Sequence, residues 1–551
     1  MKILIAQLNP TIGDILGNTR KVLEAMRWGK EHGIECICFP EMTLCGYAPD
    51  DMVLHSTFIE DMEKHLDIIV RESKGITALV GLVRKNSMRE EKGLLNSAAV
   101  VSDGKLLGFH DKWLLPTYDV FNERRYFARG KTIQVWNIHG KRIGIVICED
   151  MWQNAGEEIS GTSYPWDPVK ELKVYKPDIL FNLTASPFQS RKADIRVKVC
   201  TAAAKTLHCP VVYACQVGAN GSVIFDGYSL FVDEEGVLRN VAKGFQEDYM
   251  VIDTEKKSNS IPFEHDPMYD TFAALRLGVK DYFQKSGQTK AVIGLSGGID
   301  SALVAVIVTE ALGKENVTGV YMPTRYSSEE SEEDARELAH NLGIAFKVVE
   351  IDALFEQYLQ LLGPHFDALE EDITEENIQA RIRGTILMAF SNKFKSLLLC
   401  TGNKSELALG YCTLYGDMCG GIAVIGDILK TEAYQLAHWI NREKEIIPQR
   451  TIEKPPSAEL RHNQKDSDTL PPYDIVDKII RGYVEEYQNL NEIAKNNHID
   501  IETVRYVVGR IYKAEHKRRQ APPSLRISKK SFAVGRKKPL HFSGSLTEMI
   551  Y

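Results

Sequence analysis

Four side chains stand out by type and setting: Glu41 in "FPEMTLCGY", Lys112 in "HDKWLLPTYDVFNERRYF", Cys148 in "IGIVICEDMW" and Asp300 in "VIGLSGGIDSALVAVI". Each of the first three follows a short apolar run that reads as a strand, and α/β sheets gather catalytic groups at the C-terminal ends of strands. A thiol is a good nucleophile only as the thiolate, which needs a base and a nearby positive charge. Glu41 suits the base. Lys112 suits the charge, and would also steady the oxyanion of a tetrahedral intermediate. Together the three point to amide hydrolysis through an acyl-enzyme. Singly, each has a plainer reading: a packed thiol for Cys148, solvated rim charges for Glu41 and Lys112.

Asp300 belongs to a different pattern. Ala291 to Leu295 reads as a short buried strand, and Ser301 to Leu312 has helical length and good helix formers. Ser296-Gly297-Gly298-Ile299-Asp300 joins them. A strand-to-helix corner turns free backbone N–H groups outward and attracts anions, phosphate above all. A carboxylate in such a cradle repels its ligand unless a cation comes too, so Asp300 implies Mg²⁺. The corner would equally serve close packing of strand and helix. It lacks the lysine of G-x-x-x-x-G-K-[ST], and it is not G-x-G-x-x-G. Gly294 to Ser301 resembles the SGGxDS loop of the ATP pyrophosphatase family. That resemblance implies ATP as a substrate, transfer of AMP to a substrate oxygen, and release of pyrophosphate.

The first half resembles the nitrilase, or carbon–nitrogen hydrolase, superfamily. Its Glu-Lys-Cys triad maps onto Glu41, Lys112 and Cys148, and a second glutamate common there corresponds to Glu123. The implied fold is an α-β-β-α sandwich. The two halves together resemble the glutamine-dependent NAD⁺ synthetase family over essentially the whole chain. Three further stretches are similar to it: "KPPSAELRHNQKDSDTLPPYDIVD", "TGNKSELALGYCTLYGDMCGG" and "HKRRQAPP". The resemblance implies L-glutamine hydrolysis in the first domain and passage of ammonia to the second. There ATP adenylates deamido-NAD⁺, and ammonia displaces AMP.

Positions carry over where residues match. For glutamine they are Tyr118 in "PTYDVF", with Ser186 and Lys192 in "ASPFQSRK", where Arg191 stands in place of a small residue. For ATP they are Gly294, Leu295, Ser296, Gly297, Gly298, Ile299, Asp300 and Ser301, together with Thr401 in "TGNKSE". For deamido-NAD⁺ they are Asn377, Glu406 and Lys517. Asp300 and Glu406 are the implied Mg²⁺ ligands, and Lys430 in "DILKTEAY" the implied phosphate contact. Two alternatives stay open: an amidotransferase that adenylates another carboxylate, and a nucleotide-binding regulator without turnover. An intact triad argues against the regulator.

These groups need two scaffolds. Residues 1–253 show repeated strand-like runs, among them "KILIAQL", "ECICFPE", "ALVGLV", "RIGIVICED" and "DILFNLTAS". Helix-like segments such as 18–32 and 190–206 intervene. Hairpin-like joins at "SDGK", "NIHGK" and "DEEG" predict antiparallel pairs in a layered α/β domain. The polar stretch 254–268 reads as a linker. Residues 269–551 then begin a new alternation: strand 291–295, helix 301–312, strand 317–322, helix 328–342, strand 346–350, helix 375–395, strand 397–401. That order predicts a doubly wound parallel sheet, of the adenine-nucleotide-hydrolase type by the resemblance. Proline and charge over 452–474 read as a surface loop, and a helical, charged end follows.

Length and composition set outer bounds. At 551 residues the chain is too long for one ordinary core. It is 44% hydrophobic and 26% charged with a net charge of −8, and no basic excess points to nucleic acid. The ten cysteines are scattered without a C-x-x-C pair, which suits a reducing cytoplasm. No signal segment is legible, and no apolar run reaches bilayer length. The expectation is a cytoplasmic enzyme without a membrane partner, assembled as a closed homo-oligomer.

Overall fold

Alternate residues of "KILIAQ" face opposite sides of a strand: Ile3 and Ile5 join one apolar cluster, Leu4 and Ala6 another. This division organises the first of two compact units, Met1–Asp270 and Thr271 onward. The computed structural model describes residues 1–87, 91–256, 259–367, 369–462 and 464–540. The last stretch of the expected second domain, 541–551, therefore lies outside the described residues. So do 257–258 of the expected linker and residue 463 of the proline-rich loop.

The first unit carries strands β1 (Lys2–Gln7), β2 (Cys36–Cys38), β3 (Thr77–Lys85), β4 (Leu94–Ser102), β5 (Lys105–Asp111), β6 (Val135–Ile138) and β7 (Lys141–Ile147). They are followed by β8 (Ile179–Thr184), β9 (Val211–Cys215), β10 (Val217–Asn220), β11 (Val223–Asp226), β12 (Leu230–Val232), β13 (Leu238–Val241) and β14 (Asp248–Asp253). One sheet runs β14-β1-β2-β3-β4-β5 and the other β13-β12-β9-β8-β7-β6. All three hairpins expected from turn residues form: β4 with β5, β6 with β7, and β12 with β13. Ile3, Ile5, Leu79 and Val100 of the first sheet pack against Ile143, Ile145, Phe181 and Leu183 of the second. Helices Ile15–Glu31 and Ser56–Glu72 cover the outer face of one sheet, and Lys192–Leu207 that of the other. The result is the expected α-β-β-α sandwich.

Helix boundaries follow local chemistry. The first helix begins at Ile15, ahead of residue 18, because the Asp14 carboxylate accepts from Gly17 N at 2.9 Å and caps it. Lys192–Leu207 begins later than residue 190 because Arg191 sits at φ 62°, outside the helical region. Within the expected linker, Phe263 packs on the outer cluster of the second sheet, and His265 bridges Asp194 and Asp270.

The second unit holds a parallel sheet of β15 (Ala291–Gly294), β16 (Val317–Tyr321), β17 (Ala345–Val348), β18 (Leu397–Cys400) and β19 (Ile422–Ala423). Its order is β17-β16-β15-β18-β19. The order reverses beside β15, and such a switch point opens a crevice at the carboxyl ends of the strands. Helix Ile299–Leu312 is buried along most of its length, hence its nearly continuous apolar sequence. Helices Tyr473–Ile480, Leu490–Asn497 and Ile501–Lys513 form a separate apolar cluster near the end of the chain. The stretch 452–474 is more ordered than its composition implies. It starts in the helix Gln449–Glu453, ends in the helix Tyr473–Ile480, and buries Gln464, Asp466 and Leu470 between them. No described helix is long and apolar enough to cross a membrane.

Candidate active sites

In the first unit, Glu41 follows β2, Lys112 follows β5 and Cys148 follows β7. All three are at most 4% exposed. The turn that carries Glu41 needs a glycine opposite it: a Cβ on Gly81 would lie 2.4 Å from Met42 N and Pro40 O. Cys148 sits at φ 46°, a left-handed conformation that costs on the order of 1–3 kcal/mol outside glycine and clusters at functional sites. The corner is over-determined. Asn182 Oδ1 accepts from Cys148 N at 2.7 Å, and Asp150 Oδ2 accepts from Ile147 N at 3.0 Å. Asp150 Oδ1 also accepts from Trp113 N and Leu114 N, which ties the turn of Cys148 to the backbone just after Lys112. Burial pushes the Asp150 carboxyl up to about 7, against these backbone donors.

The charged groups form one network. Lys112 Nζ donates to Glu41 Oε1 at 2.7 Å and to Glu123 Oε1 at 2.6 Å. Tyr47 Oη donates to Glu123 Oε1 at 2.8 Å, Asn96 Nδ2 to Glu41 Oε1 at 2.7 Å, and Ala185 N to Glu41 Oε2 at 3.1 Å. Burial would discharge Lys112, but Glu123 and Glu41 hold its pKa well above the ordinary lysine range. Burial and the Glu41 charge hold the Cys148 thiol well above its ordinary value, with Lys112 and the Thr184 hydroxyl opposing them. The resting thiol is therefore neutral, and a nucleophile forms only as a base removes its proton. Glu123 is pushed up to about 7, chiefly by burial.

Of the positions implied for glutamine, Tyr118 donates to Glu149 at 2.9 Å, and Tyr164 donates to the same carboxylate at 2.8 Å. Lys192 opens its helix with its ammonium 5.5 Å from the centre of the Trp152 ring. Ser186 lies just beyond β8, where buried Arg196 donates to its Oγ at 3.3 Å and to its carbonyl at 2.9 Å. Arg196 is itself paired with Asp226 at 2.7 Å.

In the second unit, the corner after β15 opens onto a cavity of about 310 Å³. Gly294 to Ser301, Thr401, Glu406 and Lys430 all line it. Gly297 is at φ +75°, and a Cβ there would lie 2.4 Å from Ser331 O, so the loop needs glycine on both counts. Ser301 Oγ accepts from Ser296 N at 3.2 Å and donates to Gly298 O at 2.9 Å, which holds the loop closed on itself. No side chain caps the helix that starts at Ile299, which leaves its first N–H groups without a side-chain acceptor at a corner that lines the cavity. Lys430 Nζ lies 2.5 Å from Asp300 Oδ2 and 3.5 Å from Glu406 Oε1. Asn403 Nδ2 donates to Asp300 Oδ1 at 3.1 Å. Burial and the Asp300 charge push Glu406 up to about 8, against Lys430. Asp300 and Glu406 both line the cavity and flank Lys430, and two carboxylates that crowd each other in this way fit a hard cation. Mg²⁺ takes one or two carboxylates and completes its shell with phosphates and water.

Two of the positions implied for deamido-NAD⁺ lie apart from the described lining of this cavity. Asn377 accepts from Thr413 Oγ1 at 2.7 Å. Lys517 donates to the carbonyls of Gly410 and Cys412 at 2.9 and 2.7 Å, so it braces the loop whose Cys412 does line the cavity. Sequence reading missed Tyr47, Asn96, Asn182 and Thr184 in the first site. It also missed Asn403 and Glu459 in the second. Asn96, Asn182 and Thr184 were visible as polar interruptions of buried strands, and Asn403 as the start of an N-x-x-E capping box with Glu406.

Comparison with known proteins adds the following. A carbon–nitrogen hydrolase family model matches residues 2–156, and an NAD synthase family model matches residues 271–521. The chain is 42% identical to a glutamine-dependent NAD(+) synthetase of Synechocystis, over 98% of each chain. It is 41% identical to one of Thermotoga maritima, with the same coverage. A solved structure of the glutamine-dependent NAD+ synthetase of Acinetobacter baumannii, in complex with adenosine diphosphate, is 37% identical. It superposes with a TM-score of 0.77 over 98% of each chain.

Proposed function

The chain belongs to the glutamine-dependent NAD(+) synthetase family, and we propose that it forms NAD⁺ from deamido-NAD⁺, ATP and glutamine with two separate sites. The observation that carries this reading is that one chain holds the groups for both half-reactions. Cys148 stands beside the Lys112–Glu41 network in one unit, and the Gly294–Ser301 corner opens on the Asp300–Lys430 cavity in the other.

In the first site, Cys148 Sγ attacks the side-chain carbonyl carbon of glutamine while Glu41 takes the thiol proton. Lys112 supports the oxyanion, and Glu41 returns the proton to the departing ammonia. Water then attacks the thioester with Glu41 as base, which releases glutamate and restores the thiol. Tyr118, Ser186 and Lys192 hold the amino-acid end of the substrate, and Glu123 keeps Lys112 charged.

In the second site, the Gly294–Ser301 backbone and Thr401 hold ATP, and Lys430 meets its phosphates. Asn377, Glu406 and Lys517 serve deamido-NAD⁺, with Lys517 acting through the loop it braces. The nicotinate carboxylate displaces pyrophosphate from ATP, and ammonia then displaces AMP from the adenylate. Asp300 and Glu406 would hold Mg²⁺, which supplies positive charge to the phosphates when bound. We assign 1–253 to glutamine hydrolysis, 254–268 to the linker and 269–551 to synthesis. Homo-oligomeric assembly and a cytoplasmic location complete the reading; ten unpaired cysteines suit a reducing compartment.

The test is Cys148→Ala, supplied with ATP and deamido-NAD⁺ and either glutamine or ammonium at mildly alkaline pH. Synthesis from ammonium alone is expected. Unimpaired synthesis from glutamine would show Cys148 to be a packing thiol.

A further inference from the structure

Asn96 lies in β4 among Ala98, Ala99, Val100 and Val101, all fully buried, and is itself 1% exposed. Its Nδ2 donates to Glu41 Oε1 at 2.7 Å and reaches Glu123 Oε2 at 3.5 Å. Its backbone carbonyl accepts from Lys112 N at 2.9 Å. One residue thus touches the proposed base, the second glutamate and the backbone of the lysine. The orientation of the amide is forced, because a flip would set its oxygen against two carboxylates. Held this way round, Oδ1 is buried with no hydrogen-bond partner among the described residues. A buried orphan acceptor weakens the fold, and a strand core shaped for stability alone would place a hydrophobe here.

We propose that Asn96 is a positioning residue of the glutamine-hydrolysing site: its amide nitrogen, 2.7 Å from Glu41 Oε1, holds that carboxylate aimed to take the Cys148 proton. The inference rests on the roles given above to Glu41, Lys112 and Cys148. The ionisable groups facing Asn96 and its partners are Glu41, Cys45 and Tyr47 after β2, Lys112 after β5, Glu123, Cys148, Glu149 and Asp150 after β7, and Tyr164. Of these, Lys112 and Tyr47 favour ionised carboxylates, while Glu41 and Glu123 oppose each other's charge. Replacing Asn96 removes a donor from this pair of carboxylates, and hydrogen bonds to a charged carboxylate stabilise it.

The experiment uses the full-length protein as Asn96→Leu, with Cys148→Ala alongside. Two pH profiles are recorded: kcat/KM for glutamine hydrolysis, and the rate at which iodoacetamide alkylates Cys148, followed by mass spectrometry of its peptide. In Asn96→Leu both acid limbs are expected to rise by about one pH unit. The kcat should fall at least about tenfold while KM stays within about twofold. If Asn96→Leu does not fold, Asn96→Ser reads the same limbs with a smaller rise. Unmoved limbs in a folded variant, with Cys148→Ala inactive on glutamine, overturn the role of Asn96 alone. Hydrolysis that survives in Cys148→Ala overturns the underlying site, and this inference with it.

Discussion

Replacing Lys112 by Met keeps the volume and removes the only cation bonded to both Glu41 and Glu123 among the described residues. Lys112 is 1% exposed and the two glutamates are 1% and 4% exposed, so no solvent screens what remains. Breaking a buried pair in this way costs about 3–5 kcal/mol, against a domain stability of about 5–15 kcal/mol. In a unit of this size that lowers Tm by roughly 6–20 °C. Protonation limits the damage. Glu123 already sits at about 7 against an ordinary value of 4.5, chiefly through burial, and loss of Lys112 pushes it higher. Its folded pKa then lies above its unfolded one, so the native state binds the extra proton. The penalty is absent in acid, below about 4.5, and grows as pH rises through 7 and beyond. Calorimetry at pH 5 and pH 8 should show a gap between variant and wild type that widens at pH 8. Adding Glu123→Gln to Lys112→Met should narrow the gap without restoring glutamine hydrolysis. A variant with wild-type Tm at pH 8, or with hydrolysis retained, refutes the electrostatic account of this site.

Asp300→Ala, which removes the 2.5 Å partner of Lys430, should abolish NAD⁺ synthesis from glutamine and from ammonium alike while glutamine hydrolysis persists; normal ammonia-dependent synthesis would sink the assignment. The strap 452–474 is latched where Glu459 accepts from Lys454 Nζ at 2.6 Å, Ser331 Oγ at 2.8 Å and Ser328 Oγ at 2.9 Å. Lys454 to Leu460 and Asp466 line the cavity, and we read the strap as its lid: ATP and deamido-NAD⁺ together should slow amide exchange across it, Glu459→Ala should speed exchange before they bind, and exchange indifferent to both ligands counts against that role. Asp477 accepts from Ser405 Oγ at 2.5 Å and Thr431 N at 2.8 Å, which joins the helix of Glu406 to that of Lys430. Asp477→Ala should cut ammonium-driven synthesis at least about tenfold, the scale of one hydrogen bond to a charged group, and leave glutamine hydrolysis intact. Equal losses in both assays would point to general unfolding.

What was legible in the sequence was local. Cys148, Glu41 and Lys112 each sit within a few residues of a strand end, and the Gly294–Ser301 corner is a single contiguous string, so their types and settings could be read directly. The hairpins at "SDGK", "NIHGK" and "DEEG" were legible for the same reason, since a two-strand join is specified by its own turn residues. The partners were not legible. Asn96 meets Glu41 across 55 positions, Asn182 meets Cys148 across 34, and Asn403 meets Asp300 across 103. Which side chains end up opposed at such separations depends on strand order and register, and a one-residue slip would turn each away. The anchors of the loop 452–474 were hidden for a related reason: Lys454 and Glu459 bond each other and Ser331, which lies more than a hundred positions away in the chain.

The pairing of β1 with β14 sets a schedule for the newborn chain. Lys2 to Gln7 lie opposite Asp253 to Asp248, so the first strand made is closed on one side by the last strand of its unit. About 240 residues separate the two. At a synthesis rate of about 5–20 residues per second, an edge built on Ile3, Leu4 and Ile5 stays open for roughly 12–50 s after those residues leave the ribosome. Open apolar edges pair with whatever strand comes by. The interval, rather than the finished fold, is where this unit is most exposed to misassembly, and slower translation lengthens it.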